Sequence, residues 1–221
     1  MENIVRILDI QEVTHDVKCF RFEKPKGYKF IPGQATDVSI NQPDWKEEKR
    51  PFTFTSLNSD DYLEFTIKRY SEHHGVTDKL HQLNAGDELI IRDVWGAIEY
   101  KRPGYFIAGG AGITPFISIL RQLNKEDKLK GNTLIFTNKT SGDIIYEEEL
   151  KKMLADQAIF ILTKENKKGY TSGYINESFI KQNIKDFTKH FYLCGPDKMI
   201  EDIRNILSKS GATTESVVFE T

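Results

Sequence analysis

The run Tyr105-Phe106-Ile107-Ala108-Gly109-Gly110-Ala111-Gly112-Ile113-Thr114-Pro115 decides how this chain folds. Its first four residues are apolar, too short a run for a helix but long enough for a buried strand. The glycines that follow permit a tight turn and let backbone N–H groups come close to a ligand. Thr114 is placed to cap a helix over residues 115–124, and Pro115 suits that helix's first turn. The product is a strand, a glycine loop and a helix whose N-terminus faces the space beyond the strand, where a phosphate would be held. Gly109, Gly110, Gly112, Thr114 and Pro115 are therefore candidate dinucleotide ligands, while the same segment also suits a plain strand–helix turn.

Downstream the pattern repeats. Residues 134–137 and 158–162 are short apolar runs with a helix expected over 146–155 between them, and residues 191–193 form another such run. The last helix, residues 196–210, carries Met199, Ile200, Ile203, Ile206 and Leu207 at helical spacing and stops at Gly211. Apolar strands alternating with helices build a parallel sheet covered on both faces. Upstream the chain reads as β. Residues 62–70 alternate, with Leu63, Phe65 and Ile67 on one face and Glu64, Thr66 and Lys68 on the other. Residues 17–23 are apolar on both faces, and residues 87–94 follow the turn Asn84-Ala85-Gly86-Asp87. Short strands between Gly, Pro and Asn clusters, with one short helix over 78–83, predict an antiparallel barrel or sandwich. Lys101-Arg102-Pro103-Gly104 separates the two patterns. The expected architecture is two-domain: an antiparallel β-barrel over residues 1–101, followed by an α/β parallel-sheet nucleotide-binding domain over residues 102–221.

Composition narrows the function. The 221 residues are 38% hydrophobic and 29% charged, and the formal net charge of −2 gives no global attraction to nucleic acid or anionic membrane. No apolar run approaches the ~20 residues of a membrane helix. Met1-Glu2-Asn3-Ile4 lacks the basic and apolar regions of a secretory signal, so a cytoplasmic protein is expected. Two cysteines, Cys19 and Cys194, are too few for a disulfide framework or for a four-thiolate zinc or iron–sulfur site. Cys19 reads as core.

Further motifs stand in order along the chain: Phe30-Ile31-Pro32-Gly33-Gln34, Arg50-Pro51-Phe52-Thr53, Gly75-Val76-Thr77, the glycine loop, Leu193-Cys194-Gly195-Pro196 and Phe219-Glu220. Together they resemble the ferredoxin–NADP reductase family, in its flavodoxin/ferredoxin-reductase and oxygenase-reductase type without a fused iron–sulfur domain. The glycine loop resembles that family's in placing proline where the third glycine of the ordinary dinucleotide fingerprint would stand. The resemblance implies an FAD-binding barrel and an NAD(P)-binding α/β domain. It implies that Arg50, Pro51, Phe52 and Thr53 form the flavin motif, with Arg50 on an FAD phosphate, Phe52 stacked on the isoalloxazine and Thr53 bonding the N5 region. Phe52 departs from the usual tyrosine, which keeps the stacking face and loses a hydroxyl. Gly75, Val76 and Thr77 resemble the flavin-phosphate loop, and a second phosphate site points to FAD rather than FMN. Lys68 ends the strand before this loop and is either a further cofactor contact or a solvated lysine. By the same resemblance Cys194, with Gly195 and Pro196, lies beside the nicotinamide, and Glu220 relays protons or tunes the flavin.

The expected function is an FAD-dependent NAD(P)H reductase. It would transfer hydride between nicotinamide and flavin and pass electrons to a separate ferredoxin, flavodoxin or oxygenase component, or to a small diffusible acceptor. A flavin- or nucleotide-binding sensor subunit without turnover is the alternative. Lys139, at the end of the second parallel strand, is available to the 2′-phosphate of NADPH, whereas Asp143 argues for NADH. Arg21, Lys24, Lys26 and Lys29 form a basic group that would suit an acidic redox partner.

Overall fold

A computed structural model describes residues 2–96 and 98–219. The first half contributes β1 (Asn3–Thr14), β2 (Val17–Glu23), β3 (Ala35–Ile40), β4 (Arg50–Thr53), β5 (Tyr62–Lys68), α1 (Val76–Leu80) and β6 (Glu88–Trp95). Its six strands form one antiparallel sheet in the order β4-β3-β6-β1-β2-β5. Phe54, just past β4, pairs with Phe65 of β5, and Thr55 N donates to Glu64 O at 2.9 Å, so the two outer strands meet and the sheet closes into a barrel. That contact shortens the exposed edges of the outer strands. The barrel is filled by the inward residues of each strand, among them Ile7, Phe20, Phe22, Phe54, Leu63 and Phe65, all fully buried.

The second half contributes β7 (Gly104–Gly109), α2 (Thr114–Lys125), β8 (Thr133–Asn138), α3 (Glu147–Leu154), β9 (Ala158–Leu162), β10 (Thr171–Ser172), α4 (Glu177–Asn183), β11 (His190–Cys194), α5 (Asp197–Lys209) and β12 (Val217–Phe219). These strands form a parallel sheet in the order β10-β9-β8-β7-β11-β12. One face packs Phe106, Leu134 and Phe136 against Phe116 and Leu120 of α2. The other packs Ile107, Ile135 and Leu193 against Ile203 and Leu207 of α5. The order turns back at β7, with β8 on one side and β11 on the other. The loops leaving β7 and β11 therefore open a crevice at their carboxyl ends, where a ligand is held in sheets of this kind. No helix among the described residues is long and apolar enough to cross a membrane.

The architecture is the expected barrel followed by a parallel sheet, and the differences are local. β1 was hidden from a period-two reading because Ile4 and Leu8, on its outer face, are 60% and 51% exposed while Val5 and Ile7 are buried. The short helix runs over Val76–Leu80; residues 81–83 continue only as a tighter turn, with Gln82 N bonding Lys79 O and Leu83 N bonding Leu80 O. Thr114 does not cap α2. A 3₁₀ turn over Gly110–Ile113 runs straight into the helix, so Ile113 takes the cap position without a side-chain bond and Thr114 is the first helical residue.

Candidate active site between the barrel and the parallel sheet

Seven of the residues singled out from sequence, Pro51, Phe52, Thr53, Lys68, Thr77, Thr114 and Cys194, line one cleft of about 210 Å³ between the two sheets. Thr53 is at its floor, 8% exposed, and its Oγ1 lies 3.3 Å from Oγ1 of Thr114 across the boundary. The chain places Thr53 there by changing partners. Residues 50–53 pair with β3, and the next two bond towards β5. Phe52 packs its ring 5.9 Å from Phe65 and is only half-buried, a held aromatic surface. Lys68 is not a loose, solvated lysine. Its Nζ sits 2.9 Å from Asp16 Oδ2. Burial works against the Asp16 charge, yet the Lys68 pairing prevails and holds the carboxyl below its ordinary value.

The cleft also uses Ala35, Thr66, Ile67, Tyr70 and Ala111, which sequence reading missed. Thr66 shares a strand face with Lys68, so alternation alone connects those two. Arg50 is exposed on β4 and donates to the carbonyl of Lys49 at 2.7 Å. Val76 is buried in the barrel core and does not line the cleft. Pro115 is buried in the first turn of α2, just after Thr114, rather than lining the cleft.

The glycine loop rests on the turn after β11. A Cβ on Gly112 would lie 2.4 Å from the Cys194 carbonyl oxygen, and one on Gly109 would lie 2.8 Å from Met199 Sδ and 3.0 Å from Pro196 Cδ. Gly195 packs back on Gly109 in the same way. Gly110 differs: its φ is +53° and a Cβ there would meet nothing within 4 Å, so the concave side of the loop is open. Next to it, Thr137 pairs in register with Gly109, and both Thr137 Oγ1 and the amide atoms of Asn138 are buried without a partner among the described residues. Buried polar groups are normally satisfied. An open loop beside orphaned donors and acceptors, adjoining a cleft built from both sheets, fits a phosphate-bearing dinucleotide reaching towards a second coenzyme.

At the far end of β8, Lys139 is exposed, and its carbonyl accepts Lys164 N at 2.8 Å, which brings the two lysines together. The neighbouring acids are engaged with backbone. Asp143 accepts from Thr140 N and Oγ1, both at 2.7 Å, and Glu165 accepts from Ser141 N at 2.6 Å. The basic group of residues 21–29 is weaker than its sequence suggests. Arg21 pairs with Glu64, and Lys24 donates to the carbonyls of Asn58 and Asp60, leaving Lys26 and Lys29 exposed. Cys19 is core, and burial, followed by the nearby Glu64, pushes its thiol up to about 12. Glu220 lies outside the described residues.

Comparison with known proteins gives this geometry a family. Residues 5–100 match the oxidoreductase FAD-binding domain and residues 106–205 the oxidoreductase NAD-binding domain. NADH-cytochrome b5 reductase 1 of Eremothecium gossypii is 31% identical over 90% of this chain and 76% of its own length. NADH-cytochrome b5 reductase 2 of Mycosarcoma maydis is 29% identical over 94% of this chain, which spans only 65% of that relative. The FAD/NAD-binding domain of a nitric oxide dioxygenase from Vibrio cholerae superposes with a TM-score of 0.87 at 20% identity, over 98% of this chain and 97% of that one. With both domain models matched in order and a relative this similar over most of its length, the chain belongs to the ferredoxin–NADP reductase-like flavoprotein oxidoreductases, the family that includes the NADH-cytochrome b5 reductases.

Proposed function

We propose that this protein is an FAD-dependent NAD(P)H reductase, divided between residues 101 and 102, that works in the cytoplasm. It passes electrons to a separate ferredoxin, flavodoxin, oxygenase component or cytochrome, or to a small diffusible oxidant. The observation that carries the reading is the cleft in which Thr53 of the barrel and Thr114 of α2 stand 3.3 Å apart. FAD, when bound, supplies the exchange between hydride and single-electron chemistry that no side chain here performs. The protein's residues bind, orient and exclude water. Arg50 and the turn Gly75-Val76-Thr77 hold the flavin phosphates, and Phe52, with Pro51 beside it, gives the ring a face to stack on. Thr53 offers its hydroxyl to the N5 edge, and Lys68, anchored by Asp16, presents a fixed charge at the cleft wall. Gly109, Gly110 and Gly112 carry the coenzyme pyrophosphate to the start of α2. Cys194, Gly195 and Pro196 bound the nicotinamide, and Glu220 handles the proton.

The finer reading of the coenzyme is NADPH. Lys139 and Lys164 are joined backbone to backbone at the carboxyl end of β8, and both are exposed. Asp143 and Glu165 each spend one carboxylate oxygen on a backbone N–H group, so the cations are the groups more open to a 2′-phosphate.

Protein reconstituted with FAD is expected to be yellow and to bleach on anaerobic addition of NADPH. Colourless protein, or a flavin spectrum that neither NADPH nor NADH moves, overturns the proposal. A sensor without turnover would keep its colour and fail to bleach.

A further inference from the structure

Four of the six polar residues of α2 fall at 114, 118, 121 and 125, a spacing that puts them on one face of a helix. Each reaches the barrel. Thr114 meets Thr53 in the cleft, Ser118 Oγ accepts Gly33 N at 3.1 Å, Arg121 Nη1 donates to Thr55 O at 2.7 Å and Glu64 Oε1 at 2.8 Å, and Lys125 Nζ bonds Ser59 Oγ at 2.6 Å. We propose that Arg121 is a positioning residue for electron transfer: it clamps α2 to the flavin barrel and so fixes the separation of the two coenzyme rings. This rests on the reading of the cleft given above.

Arg121 is the strong member of the row. Its Nε and Nη2 form a forked pair with Glu149 of α3 at 2.6 and 2.8 Å, and its guanidinium lies 5.0 Å from the centre of the Tyr146 ring. Its barrel partner Glu64 is 1% exposed and also accepts from Thr55 Oγ1 at 2.9 Å and Arg21 Nε at 3.0 Å. Glu64 is buried and Arg121 partly so. With their lone pairs and N–H groups filled in this way the pair tolerates little displacement, because moving Arg121 leaves the buried carboxylate short of its counter-charge. Two routes connect the clamp to the cleft. One is α2 itself, which begins at Thr114 where the glycine loop ends. The other is Tyr146, whose hydroxyl lies 2.9 Å from Oγ1 of Thr66, a cleft residue. Tyr146 holds a φ of +53°, a left-handed conformation costing a non-glycine residue roughly 1–2 kcal/mol. Its neighbours keep it there. Any tilt of α2 on the barrel would carry the coenzyme loop away from Thr53, and a displacement of about 1 Å far from the chemistry costs on the order of 100-fold in rate.

The test uses full-length, FAD-loaded protein. Arg121→Met removes the clamp, Arg121→Lys keeps the charge without the fork, and Ile203→Ala, buried on the opposite face of the parallel sheet, is the control for lost stability. Anaerobic stopped-flow with NADPH and its 4-deuterated form measures flavin reduction and its isotope effect. Pulsed EPR between spin labels at Glu47→Cys and Lys198→Cys, both highly exposed sites, measures domain separation without coenzyme. Arg121→Met is expected to slow reduction about 10- to 100-fold while coenzyme affinity changes less than about threefold. It should also broaden the distance distribution, and Arg121→Lys should recover part of both effects. Unchanged reduction, an equal slowing in Ile203→Ala, or an unbroadened distribution overturns the proposal. Should Arg121→Met fail to fold, Glu149→Gln decides by the same readouts. A wild type that neither coenzyme reduces defeats the underlying functional reading instead, and the EPR measurement still judges the clamp.

Discussion

α2 and α5 leave adjacent strands at the same edge of the parallel sheet, each after a glycine-bearing turn, and the molecule uses them differently. α2 buries seven of its twelve residues, with Pro115 to Leu120 unbroken; α5 buries three of thirteen, Ile200, Ile203 and Leu207. α5 is an ordinary amphipathic helix, with one stripe on the sheet and Lys198, Glu201 and Asp202 in water. α2 is covered twice, by the sheet on one side and by the barrel on the other. Where water is excluded, a polar side chain needs a protein partner. Thr114, Ser118, Arg121 and Lys125 of α2 therefore specify how the domains dock, whereas Lys198, Glu201 and Asp202 of α5 face water.

The largest predicted effect contrasts one glycine from each helix. Gly112→Val would drive its Cβ to 2.4 Å from the Cys194 carbonyl oxygen and 2.6 Å from Gly195 N, both backbone atoms that cannot rotate away. The turn after β11 must shift, and flavin reduction by NADPH should fall more than about 100-fold. Gly211→Ala, after α5, has a φ of +99° with nothing within 4 Å of the added Cβ. It should cost about 1 kcal/mol in denaturant unfolding and leave reduction intact. Equal effects at the two glycines would erase the contrast.

Glu64→Gln comes next. It strips Arg121 of its buried counter-charge and should destabilise the protein by about 3 kcal/mol at neutral pH. Burial disfavours the Glu64 carboxylate, but Arg121 first, then Arg21 and Thr55, outweigh it and hold the group below its ordinary value. A depressed carboxylate contributes stability that is complete above the unfolded value of about 4.3 and is lost as pH falls through the folded one. Melting temperatures of wild type should therefore drop on acidification below about pH 4, and Glu64→Gln should show a shallower acid limb. Parallel acid limbs would remove Glu64 from the interface account.

How much of this was legible in sequence follows the same division. The glycine loop could be read because tight turns and close backbone approach are local demands, met by Gly109, Gly110 and Gly112 wherever the rest of the chain goes. The barrel strand over residues 62–68 could be read from Leu63, Phe65 and Ile67. What covers the opposite face of that strand could not. Alternation assigns Glu64 and Thr66 to a face without saying that α2 and Tyr146 lie on it, and both are buried. Arg121 and Ser118 look like the polar positions of any amphipathic helix until the barrel is set against them. The meeting of Thr53 with Thr114, 61 residues apart, is a product of domain docking. The orphaned Asn138 amide is visible only once its burial and lack of partners are known.

Lys139→Glu probes an edge that neither helix covers. Replacing the cation with an acid should lower the preference for NADPH over NADH, read as the ratio of kcat/KM values, by about tenfold, the worth of one charge-assisted hydrogen bond. An unmoved ratio would leave the 2′-phosphate unassigned and the cleft untouched.

The smallest effect is expected on α5. Lys198 and Asp202 are 3.6 Å apart one helical turn from each other, with side chains 87% and 55% exposed. Solvent screens such a pair, and holding two long side chains in place offsets what attraction remains, so Lys198→Ala should change stability by less than about 0.5 kcal/mol. Flavin reduction should be that of the wild type, because α5 touches the sheet through Ile200, Ile203 and Leu207, which the substitution leaves alone. A slower reduction in Lys198→Ala would mean that the outer face of α5 also bears on the cleft. The two helices would then differ in what covers them and not in what they do.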